Sequence, residues 1–215
     1  MMKRFLVLFL LLSLPLAAFS QQPEGYAAYL GAAGMDMPLF RARVADSYDF
    51  PYNGTYLIDT RGFGMGSVVY AGKVYSGLMF NLDAALHHVL VRMAGSPVTL
   101  DLGDDLVESF TRGETVYENL RLKGIKVPAG FYELLAKGPG GSVYCRTEKL
   151  ARHLSDLNYD ARNYIGYEDP DYKRGVADYF EQKQSWYLVR PDGSVRRLRT
   201  QGQVRNAIQS VYETH

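Results

Sequence analysis

The residues whose types could do chemistry are few and scattered. Asp101, Asp104 and Asp105 form an acidic group, with Glu108 close behind. A helix–loop–helix calcium site needs a longer alternation of oxygen ligands closed by a Glu, and Glu108 comes too early for that role. Gly and Asp cluster at turns, so the group reads as a polar turn between strands. Two of these carboxylates could serve glycoside hydrolysis, whose partners meet only in space, but nothing in the spacing selects a pair. His87 and His88 are adjacent, and on a strand they face opposite sides and cannot share a metal. His153 and His215 stand far off, and no zinc-type His or Cys spacing occurs. Gly62-Phe63-Gly64-Met65-Gly66 invites a phosphate-loop reading, but that motif needs a helix after it and a strand follows here. We read it as a flexible lead-in to a strand Ser67–Tyr70. The Gly-x-Ser-x-Gly elbow of serine hydrolases is absent. Cys145 is the single cysteine and reads as a small buried hydrophobe in a strand Val143–Arg146. Arg196, Arg197, Arg199 and Arg205 read as a solvated hairpin face rather than a nucleic-acid site. No catalytic, cofactor-binding or metal-ligating residue is therefore assigned, and no cofactor is expected.

The elements that must position these side chains follow from the period of the apolar residues. Between Gly66 and Phe110, short alternating runs are cut at Ala71-Gly72, Asp83-Ala84 and Gly95-Ser96, the pattern of an antiparallel meander. From Val74, one face holds Val74, Leu78, Phe80 and Leu82, and the other Tyr75, Gly77, Met79 and Asn81. Val89, Val91 and Met93 oppose His88, Leu90 and Arg92, and Val98, Leu100 and Leu102 alternate with Thr99 and Asp101. A helix would repeat at three and four; these repeat at two. Thr115 to Leu120 reads as a further strand. Phe131–Ala136 and Ser142–Arg146 flank a Gly/Pro turn, and Trp186–Arg190 and Ser194–Leu198 flank Pro191-Asp192-Gly193, giving two hairpins. Leu150, Leu154 and Leu157 sit at helical spacing and suggest a short helix. Thr200 and Gln203 match a capping box, after which Val204, Ala207, Ile208, Val211 and Tyr212 form one helical stripe facing the sheet. The expected fold is α+β, mostly β: an antiparallel meander sheet of about six to nine strands with hairpins and a C-terminal amphipathic helix.

Met1 to Ser20 has a basic start at Lys3-Arg4, an apolar run to Phe19 and small residues before Gln21, the plan of a secretory signal peptide. No Cys follows the run, so a lipoprotein anchor is not supported, and no transmembrane anchor is expected after cleavage. Loss of Lys3 and Arg4 takes the formal net charge from +1 to −1. A chain this near neutrality has no electrostatic pull toward nucleic acid. Residues 21–53 read as an irregular segment with a short helix at Tyr26–Ala33, and 54–215 as a single domain. Between the hairpins, Asn158 to Tyr172 is polar and rich in tyrosine. Tyr supplies contact area at low entropic cost, so Tyr159, Tyr164, Tyr167 and Tyr172 are the candidate partner surface.

The succession Gly54-Thr55-Tyr56-Leu57, Gly66-Ser67-Val68, Gly72-Lys73-Val74-Tyr75 and Phe80-Asn81-Leu82-Asp83, with Gly130 to Leu135 and Trp186-Tyr187-Leu188 later, resembles a family of uncharacterised exported proteins of Bacteroidota-type bacteria. The chain departs from it in carrying Phe80 and Trp186 where Tyr is common. The resemblance implies export to the periplasm or beyond and a mostly antiparallel β fold, and brings no functional residues. The expected function is a non-enzymatic binding or interaction module for an envelope protein or glycan. The alternatives are a hydrolase of envelope glycan, using carboxylates among Asp101, Asp104, Asp105 and Glu108, and a small-ligand carrier.

Overall fold

The computed structural model describes residues 39, 42–45, 52–93, 95–152 and 178–213. The chain divides into two compact units, 1–41 and 42–215, and the strands and helix described all lie in the second. The expected leader and the helix at Tyr26–Ala33 lie outside the described residues, as does most of 21–53.

The strands are β1 Arg43–Val44, β2 Tyr52–Asn53, β3 Gly64–Tyr70, β4 Lys73–Asp83, β5 His88–Arg92, β6 Leu100–Asp101, β7 Val107–Arg112, β8 Thr115–Glu118, β9 Tyr132–Gly138, β10 Gly141–Arg152, β11 Asp178–Val189 and β12 Val195–Leu198, followed by helix α1 Gln201–Ser210. All join one sheet in the order β1-β6-β5-β4-β3-β7-β8-β9-β10-β11-β12, with β2 beside β11. Among the described residues the neighbours are antiparallel, except that β2 pairs parallel with β11. The expected meander, both hairpins and the helix are present. Among the described residues the strands number 12 rather than six to nine, because β1, β2 and β6 are two-residue pieces too short to show a period.

Turn chemistry places the hairpins. Ala71 and Gly72 both have positive φ, +49° and +74°, as the tight turn between β3 and β4 requires. The phase of β4 departs from simple alternation. Gly66 pairs with Leu78 but Ser67 pairs with Ser76, so Gly77 is an extra residue on β4, with φ +72°. Such a bulge moves every residue beyond it to the opposite face. Tyr75, 5% exposed, therefore joins Leu78, Phe80 and Leu82 in the core, and Val74, expected there, is 62% exposed.

Gly64 and Gly66 lie within β3 rather than in a flexible lead-in. A Cβ on Gly66 would strike the carbonyl of Thr111, so the missing side chain lets β3 close on β7. There Ser67 N–H donates to Thr111 Oγ1 at 2.9 Å.

The sheet curls until β4 approaches β10, although β3, β7, β8 and β9 lie between them in sheet order. Lys149 N–H, on β10, donates to the carbonyl of Ala84, just past β4, at 2.9 Å. Phe80, Phe110 and Phe131 are fully buried. Phe110 stacks on Tyr117 at 4.6 Å between ring centroids and meets Phe131 edge-on at 5.5 Å. Each such ring stabilises the fold by roughly 1.5–3 kcal/mol through burial.

Two further readings need correction. Leu150 belongs to strand β10, which runs to Arg152 and pairs there with β11, while Leu154 and Leu157 of the expected helix lie outside the described residues. Val98 is exposed and precedes β6 instead of belonging to it.

Helix α1 begins as its capping box predicts. Gln203 N–H donates to Thr200 Oγ1 at 3.2 Å, and Gln203 Oε1 accepts from Arg199 N–H at 2.7 Å. Val204, Ala207 and Val211 pack on Ala136, Val143, Leu188 and Leu198, with Ile208 and Trp186 partly buried beside them. Tyr212 leaves the stripe and is 60% exposed, because the helix has already ended at Ser210.

Val204→Asp places an unpaired charge in this contact and is expected to lower stability by about 3 kcal/mol or more. An unchanged Tm in thermal unfolding contradicts the docked helix.

Candidate functional site

The acidic candidates do not converge: Asp101 is buried in a bonded group, and Asp104, Asp105 and Glu108 make contacts nearer the surface. Asp101, on β6, accepts from Arg43 Nη2 at 2.6 Å, lies 2.9 Å from His88 Nδ1, and caps Gly103 N–H at 2.7 Å. Burial pushes its carboxyl up, but the bonds from Gly103, His88 and Arg43 outweigh that and hold it below the usual range. Asp104 and Asp105 share Arg121, at 3.6 and 3.2 Å. Glu108 accepts from Gly72 N–H at 3.0 Å, in the turn between β3 and β4. The four residues thus serve three separate contacts. Among the described residues no cluster of three or more His, Cys, Asp or Glu has the arrangement of a metal site. Cys145 is buried as expected, and burial pushes its thiol up to about 11.

A second polar group lies where β10 meets the end of β4. β9 accompanies β10 only as far as Cys145, so from Arg146 onward that edge of β10 needs other partners. Arg146 donates through Nε and Nη2 to Ala129 O at 3.1 and 2.9 Å and pairs with Glu148. Lys149, 5% exposed, donates through Nζ to Thr55 O at 2.8 Å and to Leu57 O. Burial lowers its pKa. The turn from Asp83 to His88 fits against this edge. Asp83 Oδ1 accepts from Ala85 and Leu86 N–H at 2.8 and 2.9 Å. His87 follows with φ +58°, a left-handed conformation rare for a side chain of its size. Its ring is 8% exposed, and neither nitrogen has a hydrogen-bond partner among the described residues. A Cβ at Gly130 would come within 2.7 Å of its Cγ and Nδ1. Burial, and then the charge of Arg146, lower its pKa to about 4, so the imidazole is neutral at pH 7. Lys149 and His87 are turned inward and committed to closure of the sheet.

Among the described residues a surface hollow lies at the β12 end of the sheet order. Gln184, Ser185, Trp186, Arg197, Leu198 and Arg199 line a half-open hollow of about 350 Å³ where β12 runs out beside β11. Trp186 pairs in register with Leu198 and Tyr187 with Arg197, which puts the indole and the Arg197 guanidinium on opposite faces at one edge. Arg197 Nη2 donates to Ser185 Oγ at 3.2 Å. Among the described residues, Arg196, Arg197, Arg199 and Arg205 have no ion-pair partner. In a chain of net charge +1 this is a local excess of positive charge. An indole offers an apolar face, and a guanidinium offers paired donors to a carboxylate or phosphate.

Sequence reasoning read these arginines as a solvated face, and all four are exposed. It missed that the chain's single tryptophan shares their edge, which the adjacency of Trp186 to an Arg-rich hairpin partner could have signalled. Tyr159, Tyr164, Tyr167 and Tyr172 lie outside the described residues. The chain matches no protein-family model, no curated protein and no solved structure. No helix among the described residues is long and apolar enough to cross a membrane.

His87 gives a pH prediction. Its pKa is about 4 folded against an ordinary imidazole value of 6.5, so the unfolded chain binds the proton more readily. The resulting stability is intact above about pH 6.5 and is lost as pH falls toward about 4, by about 3 kcal/mol at most. Asn tolerates positive φ and does not titrate. The gap in unfolding free energy between wild type and His87→Asn is expected to shrink between pH 7 and pH 4; a constant gap contradicts a buried neutral imidazole.

Proposed function

We propose that the protein is an exported, non-enzymatic binding module that takes an anionic partner in the hollow at the β11–β12 edge. One observation carries this reading: Arg197 and Arg199, without carboxylate partners among the described residues, border a hollow of about 350 Å³ that the half-buried Trp186 also lines. Arg197 already leans on Ser185 Oγ, which limits the conformational freedom it would lose on binding. A carboxylate bound by a guanidinium fork makes two parallel charge-assisted bonds. The carboxylates that a glycan hydrolase would need, Asp101, Asp104, Asp105 and Glu108, are instead tied to Arg43, His88, Arg121 and the Gly72 amide. That favours recognition over hydrolysis. The leader-like Met1 to Ser20 supports placement of this function outside the cytoplasm.

The test is titration of the protein lacking residues 1–20 with two polyanions, polygalacturonate and poly-L-glutamate. At least one is expected to bind, and Arg197→Ala and Arg199→Ala are each expected to weaken it about tenfold, the effect of about 1.4 kcal/mol. The variants should keep the wild-type Tm, since both side chains are exposed. Failure of both polymers to bind, or binding indifferent to both arginines, contradicts the proposal.

A further inference from the structure

Among the described residues, β11 is covered along one edge and only at its ends along the other. β10 pairs with it from Tyr179 to Val189. On the opposite edge, β2 pairs with Asp178 and Tyr179, and β12 with Trp186 to Val189. Among the described residues, no strand pairs with Glu181 to Ser185 in the gap between them.

Two hydrogen bonds fix which backbone groups face this gap. Arg190 N–H donates to Ser194 O, toward β12. Along an antiparallel strand the bonding direction alternates residue by residue, so Leu188, Trp186, Gln184 and Gln182 address the same edge. The second bond lies on the far side of β10. Lys149 N–H goes to Ala84 O, away from β11, and Lys149 is the register partner of Gln182. That pair is therefore a non-hydrogen-bonded one, and Gln182 again faces the gap. Gln182 and Gln184 present N–H and C=O groups there, with no backbone partner among the described residues. Such an edge is a template for another strand.

We propose that this gap is a docking slot in which an extended acidic peptide segment of a partner protein adds as a strand to β11. The proposal rests on the anion-binding reading of the adjoining hollow and names the class of partner. Glu181 to Ser185 spans roughly 17 Å at about 3.4 Å per residue, room for a strand of ordinary length. Backbone bonds to Gln182 and Gln184 hold the added strand. Its acidic side chains reach Arg197 and Arg199, which border the slot where β12 ends. The one acid within the gap, Glu181, is already paired with Arg152 and Lys183 at 3.0 and 3.4 Å, so the slot offers an incoming chain mainly positive charge. A second copy of this chain fits less well, since it would set a second Lys183 and a second Arg-rich hairpin against the first, and like charges across strands repel.

Proline separates strand addition from side-chain binding. On an outer edge proline removes only an outward N–H, whereas facing a neighbour strand it breaks the ladder. Gln184→Pro is expected to keep the wild-type Tm, and Lys183→Pro, whose N–H faces β10, to lower it; the reverse order overturns the assignment of the edge. The probe is a library of random linear peptides displayed on phage and selected against the immobilised protein lacking residues 1–20. Enriched peptides are expected to be acidic and to lose at least about tenfold in affinity on Gln184→Pro. Enrichment without acidic residues, or binding that survives Gln184→Pro, overturns the proposal. So does a concentration-dependent dimer abolished by Gln184→Pro, which would give the edge to a second copy. If no peptide is enriched while polygalacturonate still binds through Arg199, strand addition fails and the anion-binding reading stands. If neither probe binds, both fail.

Discussion

The fold depends on how the end of β10 is satisfied after β9 leaves it. Backbone donors and acceptors buried without partners are costly, and so is a buried ammonium. Lys149 resolves both costs at one position. Its backbone N–H meets Ala84 O, and its ammonium meets the carbonyls of Thr55 and Leu57. Those two carbonyls belong to a segment that runs beside the end of β4, where Ile58 N–H bonds Leu82 O and Ala84 N–H bonds Tyr56 O at 2.9 Å each. One residue, through its backbone and its side chain, thus ties together β10, the end of β4 and the segment before β3. The neighbouring features follow from this closure. Arg146 reaches the Ala129 carbonyl, and the turn after Asp83 is forced tight. His87 takes a left-handed conformation against a residue, Gly130, that has no side chain to obstruct it.

Closure requires a curved sheet, and local devices supply the curvature. The Gly77 bulge increases the twist of β4. Further register shifts occur between Val69 and Tyr70 against β7, and between Val143 and Tyr144 against β9. Gly66 lets β3 approach Thr111 at a distance no side chain would permit. Asn81, fully buried, then fastens the loop before β3. Its Nδ2 donates to Asp59 O at 3.1 Å and to Gly62 O at 2.8 Å. Asp59 joins the same fastening through Arg61 and Arg112, and the bonds from Arg61 draw its pKa down to about 2.

What was legible in the sequence is local. Period-two runs gave the meander, Ala71-Gly72 and Pro191-Asp192-Gly193 gave turns, and Thr200 with Gln203 gave the helix start. What was not legible is whatever depends on residues far apart in the chain. The bulge at Gly77 exchanges Val74 for Tyr75 because of pairing with β3, which no window of β4 reveals. Leu150 reads as helical until its pairing with Glu181 across a long connection is known. Lys149 looks like a surface residue, and only its contact with residues more than 90 positions away shows its burial. For the site, the arginines were visible and their neighbourhood was not. An edge exists only where a neighbouring strand ends, and the short β12 leaves one between Glu181 and Ser185.

The protein therefore uses its buried polar chemistry for closing a curled sheet, and among the described residues one edge of β11 is left without a strand from Glu181 to Ser185. Amide-resolved hydrogen exchange of the native protein tests both halves at once, because protection reports which backbone groups are bonded in the folded state. The account predicts slow exchange at Lys149, bonded to Ala84, and at Lys183, which faces β10. It predicts fast exchange at Gln182 and Gln184. Rapid exchange at Lys149, or protection of Gln182 and Gln184 equal to that of Lys183, would contradict it.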